Sequence, residues 1–548
     1  MIQNLLDILT SFLFIAVIFQ SDLFLIYLWQ LKEYRFDRFK AHLKTNQGKR
    51  LLFSPQNFIK VALLAGLISL FYISFQGLVL LFIVFLFYLF SFLYTFIIFP
   101  KRIQLPVFTI KTVLLMLIII ITILFIMLFI SMPKPIMLLI LDIFGGLLIS
   151  FYVSVFAIPS VIIKKIIIIA ATLKINNLKR LKTIGITGSY GKTSAKDFLA
   201  SILSVRYRIV KTDLSQNTEI AVALKILRNV NSNTELFIVE MGAYKKGEIE
   251  AIARMVRPDI GIITGINEQH AELFGGIKNT AKAKYELINN LKKNGIAILN
   301  TDSQHLKDVL IGNKSIRSDL SYWGFGYETP KERELPISQN CYLKISKAKS
   351  FMDHISFSFK FHDYETELNS SLCGIQNVSN IAAAYLVAKL LGLNNETVKK
   401  SVKHLQAPEN TMRRAGLIKE TVIVDDAFNA NPDGVKGAID YMKDFSGKKV
   451  LVLTPLIELG CESGIIHREL GKLAGAVCDK VLLTNINFNK DFLEGVRQST
   501  HDESKVQIVN TLLGKKIIEK YYSKNGVIIF EGKESAKLLK LCLNDAYA

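Results

Sequence analysis

Residues 183–194, TIGITGSYGKTS, constrain this chain more than any other stretch. An apolar run ends in a turn with two glycines, and Lys-Thr-Ser then opens a helical pattern. Gly188 and Gly191 permit a tight bend and a close backbone approach to a ligand, because neither carries a Cβ. The N–H groups that follow would converge on an anion at a helix N-terminus. Lys192 is placed to reach the β- and γ-phosphates of a nucleotide, and the Thr193 hydroxyl to ligate Mg²⁺. Strict phosphate-loop spacing asks for glycine at 186, whereas this chain has Ile186, with Gly185 one place earlier. The expectation is a site for ATP and Mg²⁺ built from Gly188, Ser189, Tyr190, Gly191, Lys192, Thr193 and Ser194, set against the plainer reading of a glycine turn between strand and helix.

Ahead of this stretch the chain reads as membrane. Mean hydropathy is +0.33, and the first 170 of the 548 residues hold nearly all the long apolar runs. Five segments, roughly 5–29, 57–75, 78–99, 108–131 and 135–158, could cross ~30 Å of hydrocarbon. Basic loops follow the first (Lys32 to Arg50) and the third (Lys101 to Lys111), and the other connections are nearly uncharged. Excess Lys and Arg mark the cytoplasmic side. This places the N-terminus outside, and the chain beyond residue 158 in the cytoplasm of a multi-pass cell-membrane protein. No small-residue cleavage pattern follows the first run, so it reads as a retained span. Residues 160–175 are short and split by Lys164-Lys165, which predicts a separate interfacial helix. Asp22 falls inside the first segment. It is either functional at membrane depth or the break between two shorter pieces.

The net charge of +21 fits basic loops beside an anionic leaflet plus an anionic substrate, in preference to nucleic acid. The five cysteines are scattered without a CxxC pair, which argues against a zinc site and a disulfide framework.

From residue 175 apolar runs alternate with helical patterns: 183–187, 236–240, 259–265 and 295–299 as strands, with helices between. That alternation predicts a parallel sheet covered by helices. Residues 341–370 alternate apolar and polar, as an antiparallel pair would, and a helix follows at about 377–391. A second set, 421–425, 449–454, 480–484 and 527–531, begins after a boundary near 407–414. The expected fold is an α-helical membrane domain (1–172) with about five spans, then a central α/β P-loop domain (175–408) and a C-terminal Rossmann-like α/β domain (409–548).

Several ordered motifs accompany the P-loop. They are Gln216-Asn217-Thr218-Glu219, Val239-Glu240-Met241-Gly242 at a strand end, Asn267 to Gly275 around His270, and Ala281 to Glu286 around Lys284. Further on come Gly374-Ile-Gln-Asn377-Val-Ser-Asn380, Met412-Arg413-Arg414, Asp425-Asp426-Ala-Phe-Asn429-Ala-Asn431-Pro432, and Leu456-Ile-Glu458-Leu-Gly460 with His467 downstream. Taken singly, each has an ordinary reading: a solvated strand end for Glu240, a surface histidine, a solvated helical lysine, an N-cap at Asn377 or Ser379, an acidic turn.

Taken in order, over about 183–535, they resemble the Mur ligase family of ATP-dependent, amide-forming ligases. Within it the resemblance is nearest to the branch that adds D-alanyl-D-alanine to the UDP-muramoyl tripeptide of peptidoglycan. It implies metal ligation by Thr193, Glu240, His270 and a carbamylated Lys284, with Lys192 also catalytic. It implies ATP contacts from Asn377, from Arg413 or Arg414, and from Asp425 and Asp426, and substrate contacts from Asn217, Thr218, Asn429, Asn431 and Glu458. The chain departs from the family pattern at Ala221, Tyr285, Phe428 and Thr454-Pro455, and above all at its front, where membrane segments stand in place of a nucleotide-sugar domain. The implied partners are a nucleotide- or lipid-linked cell-wall precursor, an amino acid or dipeptide, and membrane lipid. The implied chemistry passes through an acyl phosphate. Rival readings are a ligase for another polymer (pseudomurein-like or poly-glutamate-like) and an ATP-driven transporter.

Overall fold

The computed structural model describes residues 2–544 except 33, 35, 45–47, 50, 52, 73–76, 99–103, 270, 313–315, 330–334, 363, 429 and 501. The chain forms two compact units, Met1–Lys165 and Ile166–Ala548. The expected sites His270 and Asn429 lie outside the described residues.

The first unit is helical. Among the described residues four helices are long and apolar enough to cross a membrane: Leu5–Leu31, Leu81–Ile98, Ile110–Phe129 and Lys134–Asn177. The expected segment 57–75 falls on the helix Pro55–Tyr72, which is not one of the four. Two expectations are corrected. Asp22 does not break its segment, since one helix runs from Ile2 to Leu31. Residues 160–175 are not a separate interfacial helix but the continuation of Lys134–Asn177, with Pro159 inside it. An interior proline removes only one backbone donor, and a long apolar helix tolerates the loss. The unit also holds a polar contact that the hydropathy pattern hid. Lys60 Nζ donates to Asp142 Oδ1 at 2.8 Å and the buried Tyr88 hydroxyl to Asp142 Oδ2 at 3.2 Å.

The second unit contains two sheets. The first comprises β1 (Lys182–Thr187), β2 (Ile209–Lys211), β3 (Leu236–Glu240), β4 (Ile260–Ile263), β5 (Ile296–Asn300), β6 (Ser321–Gly326), β7 (Tyr342–Ser350), β8 (Ile355–Phe361) and β9 (Tyr364–Ser370). Their spatial order is β2-β3-β1-β4-β5-β6-β7-β8-β9. Pairing is parallel from β2 to β7 and antiparallel from β7 to β9. The second sheet comprises β10 (Arg413–Ile418), β11 (Thr421–Asp426), β12 (Lys449–Leu453), β13 (Lys480–Leu483), β14 (Val506–Ile508) and β15 (Gly526–Glu531), in the order β10-β11-β15-β12-β13-β14. Only β10 is antiparallel.

Strands β1, β3, β4 and β5 are almost wholly buried, as parallel strands covered on both faces must be. On one face Phe198 and Leu199 meet Ile381 and Leu386, from the helices Lys192–Leu203 and Asn377–Leu390. On the other, Val222, Ile252 and Leu287 pack with Ala171 and Ile175 from the end of the long helix. Gly185 belongs to this core and not to the phosphate turn. It lies inside β1, where a Cβ would come within 2.8 Å of Leu287 and Met241.

Candidate active site

In a parallel α/β sheet, ligands bind outside the carboxyl ends of the strands. The P-loop turn follows β1 at that edge. Gly191 has φ +74 and caps the helix Lys192–Leu203; a Cβ there would sit 2.2 Å from Asn380 Oδ1. Gly188, at φ +153, lies against Thr264, where a Cβ would be 2.2 Å from its hydroxyl. Both glycines are therefore required by close approach of the next strand's loop and of the Asn377–Leu390 helix. Ser189 N–H donates to Gly265 O at 2.8 Å, and the Thr264 hydroxyl bonds Tyr190 O. These contacts hold the turn between β1 and β4.

Lys192 folds back on this turn, donating to Gly188 O at 2.7 Å and Ser189 O at 3.1 Å. Burial lowers its pKa, opposed by the charge of Glu240. The Thr193 hydroxyl donates to Glu240 Oε2 at 3.0 Å. Glu240 is 3% exposed, so it is not a solvated strand end. Its second oxygen accepts from Asn217 Nδ2 at 3.2 Å. Burial alone would raise this carboxyl, but Lys196 and Lys192 hold it below its ordinary value.

Lys196 was not anticipated. Its ammonium, 1% exposed, donates to Glu240 Oε2 at 3.1 Å. The available signal was its position one helical turn after Lys192, on a face otherwise lined by Ala195, Phe198 and Leu199. Lys284 is likewise buried, 5.5 Å over the Phe274 ring. Burial first, then the charge of Lys192, lower its pKa to about 7 against the pull of Glu286 and Glu248.

Asn377 does not cap its helix. Its side chain donates to Cys373 O at 2.8 Å, while Asn380, part of the same motif but given no role there, packs on Gly191. Thr218 is the N-cap of Glu219–Asn229 without a side-chain cap bond.

The second sheet brings its own groups. Neighbouring residues of a strand face opposite ways, and Arg413 and Arg414 divide accordingly. Arg413 pairs in register with Asp425, and Arg414 lies by Tyr441 and Cys373. Asp425 accepts from Ala427 N–H at 3.1 Å. Asp426 stands opposite Glu531 in register at the carboxyl ends of β11 and β15, and burial pushes both carboxyls up. Glu531 carries no motif signal and was missed. Asn431 caps the helix Pro432–Met442. It also meets the first sheet: Asn267 Nδ2 donates to Asn431 Oδ1 at 3.2 Å and to Asp433 Oδ2 at 2.8 Å. Glu458 adopts φ +65, and its carbonyl accepts from Glu272 N–H at 3.3 Å. His467 holds a loop together, accepting from Leu456 N–H at 3.0 Å and donating to Ser463 O at 2.6 Å.

The structure thus gathers Lys192, Thr193, Glu240, Asn217 and Lys284 at one sheet edge, with Asn431 and Asp433 of the other sheet joined to the loop after β4. Glu240 and Thr193 supply hard oxygen donors of the kind Mg²⁺ takes.

Residues 186–388 match the Mur ligase middle domain. The family resemblance drawn from the motifs therefore holds. The chain is 31% identical over 295 residues to the UDP-N-acetylmuramoyl-tripeptide–D-alanyl-D-alanine ligase of Bacillus subtilis, covering 53% of this chain and 59% of that protein. It is 27% identical over 302 residues to the Escherichia coli ligase of the same name, covering 55% and 64%. It spans about three fifths of the length of these relatives. Among solved structures, MurF from Acinetobacter baumannii superposes with a TM-score of 0.61 at 21% identity, covering 70% of this chain and 80% of that one. MurF from Thermotoga maritima in complex with ADP gives 0.59 at 23%, covering 70% and 82%. The fold of the second unit is thus Mur-ligase-like α/β with parallel-rich sheets.

Proposed function

We propose that this protein is a membrane-anchored, ATP-dependent, ADP-forming amide ligase of cell-wall precursor synthesis. It would join an amino acid or D-alanyl-D-alanine to a muramoyl-peptide-type acceptor. One observation carries the reading. Lys192, Thr193 and Glu240 converge at the carboxyl edge of the first sheet beside a buried Lys284, and a loop of the second sheet is bonded across to the same edge.

In this mechanism an acceptor carboxylate oxygen attacks the γ-phosphorus of ATP, and ADP leaves. The amine then attacks the acyl carbon, loses a proton and expels phosphate. Lys192 leaves its carbonyl partners to hold the transferring phosphoryl group, whose charge it offsets. Mg²⁺ would be held by Thr193 and Glu240, with His270 and a carbamylated Lys284 as the family pattern implies, and would supply charge neutralisation at the phosphates. Asn267, Asn431 and Asp433 hold the second sheet over the crevice and exclude water that would hydrolyse the acyl phosphate.

The membrane-type helices directly ahead of β1 support a lipid-linked acceptor over a soluble nucleotide-sugar. The test is phosphate release by the full chain in detergent with Mg-ATP. It is run against muramoyl tripeptide, its UDP- and lipid-linked forms, and D-alanyl-D-alanine. Turnover that needs both acceptor and amine, and is lost in Lys192→Ala, is expected. Turnover indifferent to these peptides would refute the ligase reading. Tight, productive use of the UDP-linked acceptor would refute the lipid-linked one.

A further inference from the structure

The last turns of the long helix belong to the second unit, and they are two-faced. Ile167, Ile168, Ala171 and Ile175 pack into the core beside β3. On the other side Ile166, Ile169 and Leu173 are 60%, 58% and 58% exposed, at helical spacing i, i+3, i+7. This stripe cannot rotate inward, because Lys174 Nζ is anchored on Leu227 O at 2.8 Å.

The chain leaves this helix at Asn177, and within five residues it supplies Arg180 and Lys182 to the opposite, N-terminal edge of the first sheet. There they line a recess of about 220 Å³ with Arg208, Ser232, Thr234 and Glu235. The one acid of the recess is committed: Glu235 Oε2 accepts from Arg208 N–H at 2.8 Å and lies 3.5 Å from its Nε. Among the described residues Arg180 and Lys182 form no ion pair, and both are exposed. β1 runs six residues from this recess to the phosphate turn, about 20 Å at the rise of a strand. The recess is therefore not part of the nucleotide site.

We infer that the exposed stripe Ile166–Leu173 and the basic recess of Arg180, Lys182 and Arg208 together form a docking surface for the headgroups of an anionic phospholipid layer. Exposed apolar side chains followed within a few residues by the unpaired Arg180 and Lys182 match a bilayer interface, where apolar area enters the acyl boundary and cations meet phosphates. The stripe lies on the same helix as a candidate span, which makes a lipid surface, and not a soluble anion, its occupant. The inference rests on the membrane-anchored reading above and adds a constraint to it. The crevice then faces away from the headgroups, so a lipid-linked acceptor must reach across about 20 Å.

The test uses the full chain in nanodiscs of phosphatidylcholine alone, or of phosphatidylcholine mixed with phosphatidylglycerol, read by amide hydrogen exchange. Each cation near an anionic surface multiplies local affinity about fivefold. Exchange at the β1, β2 and β3 starts is therefore expected to slow at least about tenfold in the anionic discs. The triple variant Arg180→Gln/Lys182→Gln/Arg208→Gln should abolish the slowing, and added salt should erode it in the unmodified chain. Equal exchange in both lipids overturns the inference while leaving the ligase untouched. So does slowing by inorganic phosphate in phosphatidylcholine discs without dependence on phosphatidylglycerol. Failure of the chain to enter discs at all overturns the membrane reading and this inference with it.

Discussion

Lys284 offers the sharpest test of the site. Burial and the charge of Lys192 lower its pKa from 10.5 to about 7, about 5 kcal/mol in favour of the neutral amine. At pH 8 about nine tenths of Lys284 is neutral, against about 0.3% of an ordinary lysine, an enrichment of about 300-fold. Only the neutral amine attacks CO₂, forming an N–C bond and releasing one proton to leave a carbamate. Supplying ¹³C-bicarbonate, trapping carbamates with an alkylating oxonium salt and mapping them by mass spectrometry should label Lys284 with a midpoint near pH 7. The exposed Lys282 on the same helix is the internal comparison. Lys192→Ala removes a neighbouring positive charge and should move the midpoint upward. Stability follows the same shift. The unfolded chain holds the Lys284 proton up to 10.5, so Lys284→Met should stabilise most below pH 7, with the gain vanishing as pH rises to 10.5. Labelling of Lys284 only in step with Lys282 would refute the reasoning.

The Glu240–Lys196 pair is buried on both sides. Glu240→Gln or Lys196→Met should each destabilise by about 3–5 kcal/mol in thermal unfolding, because the survivor is left uncompensated. The double variant should recover most of that loss without recovering ATP turnover. Gly191→Ala forces a side chain into φ +74 and onto Asn380. Nucleotide binding measured by calorimetry should fall at least about tenfold, and Asn380→Ala should rescue it only in part, since the backbone strain of about 1 kcal/mol remains. In the first unit Asp142→Ala strands Lys60 among apolar helices, and the melting temperature in detergent should fall. Lys60→Met/Asp142→Leu should melt above either single variant.

The placement of several candidate-site residues was legible because they sit at turns with a fixed relation to a strand. Gly188, Gly191, Lys192 and Thr193 follow β1, Glu240 ends β3 and Asn431 caps a helix, so position along the chain implies position in space. Lys196 and Glu531 were not legible, and Asn380 was visible in its motif without its role. Each acquires its meaning from a group more than forty residues away, Glu240, Asp426 and Gly191 respectively. Strands β2 and β14 were missed because three residues are too few to show a period. Asp142, one carboxylate in a long apolar run, is invisible to hydropathy averaging.

The sequence alone determined the division into an apolar front and an α/β remainder, the glycine turn after β1, and the order of the motifs, because hydropathy period and glycine placement act locally. Tertiary structure alone decided which lysine neutralises Glu240, which of Arg413 and Arg414 meets Asp425, that residues 160–175 continue a membrane-type helix, and that Lys284 is buried enough to lose its proton. Burial and pairing are sums over neighbours brought in from distant chain segments, and no local pattern contains them.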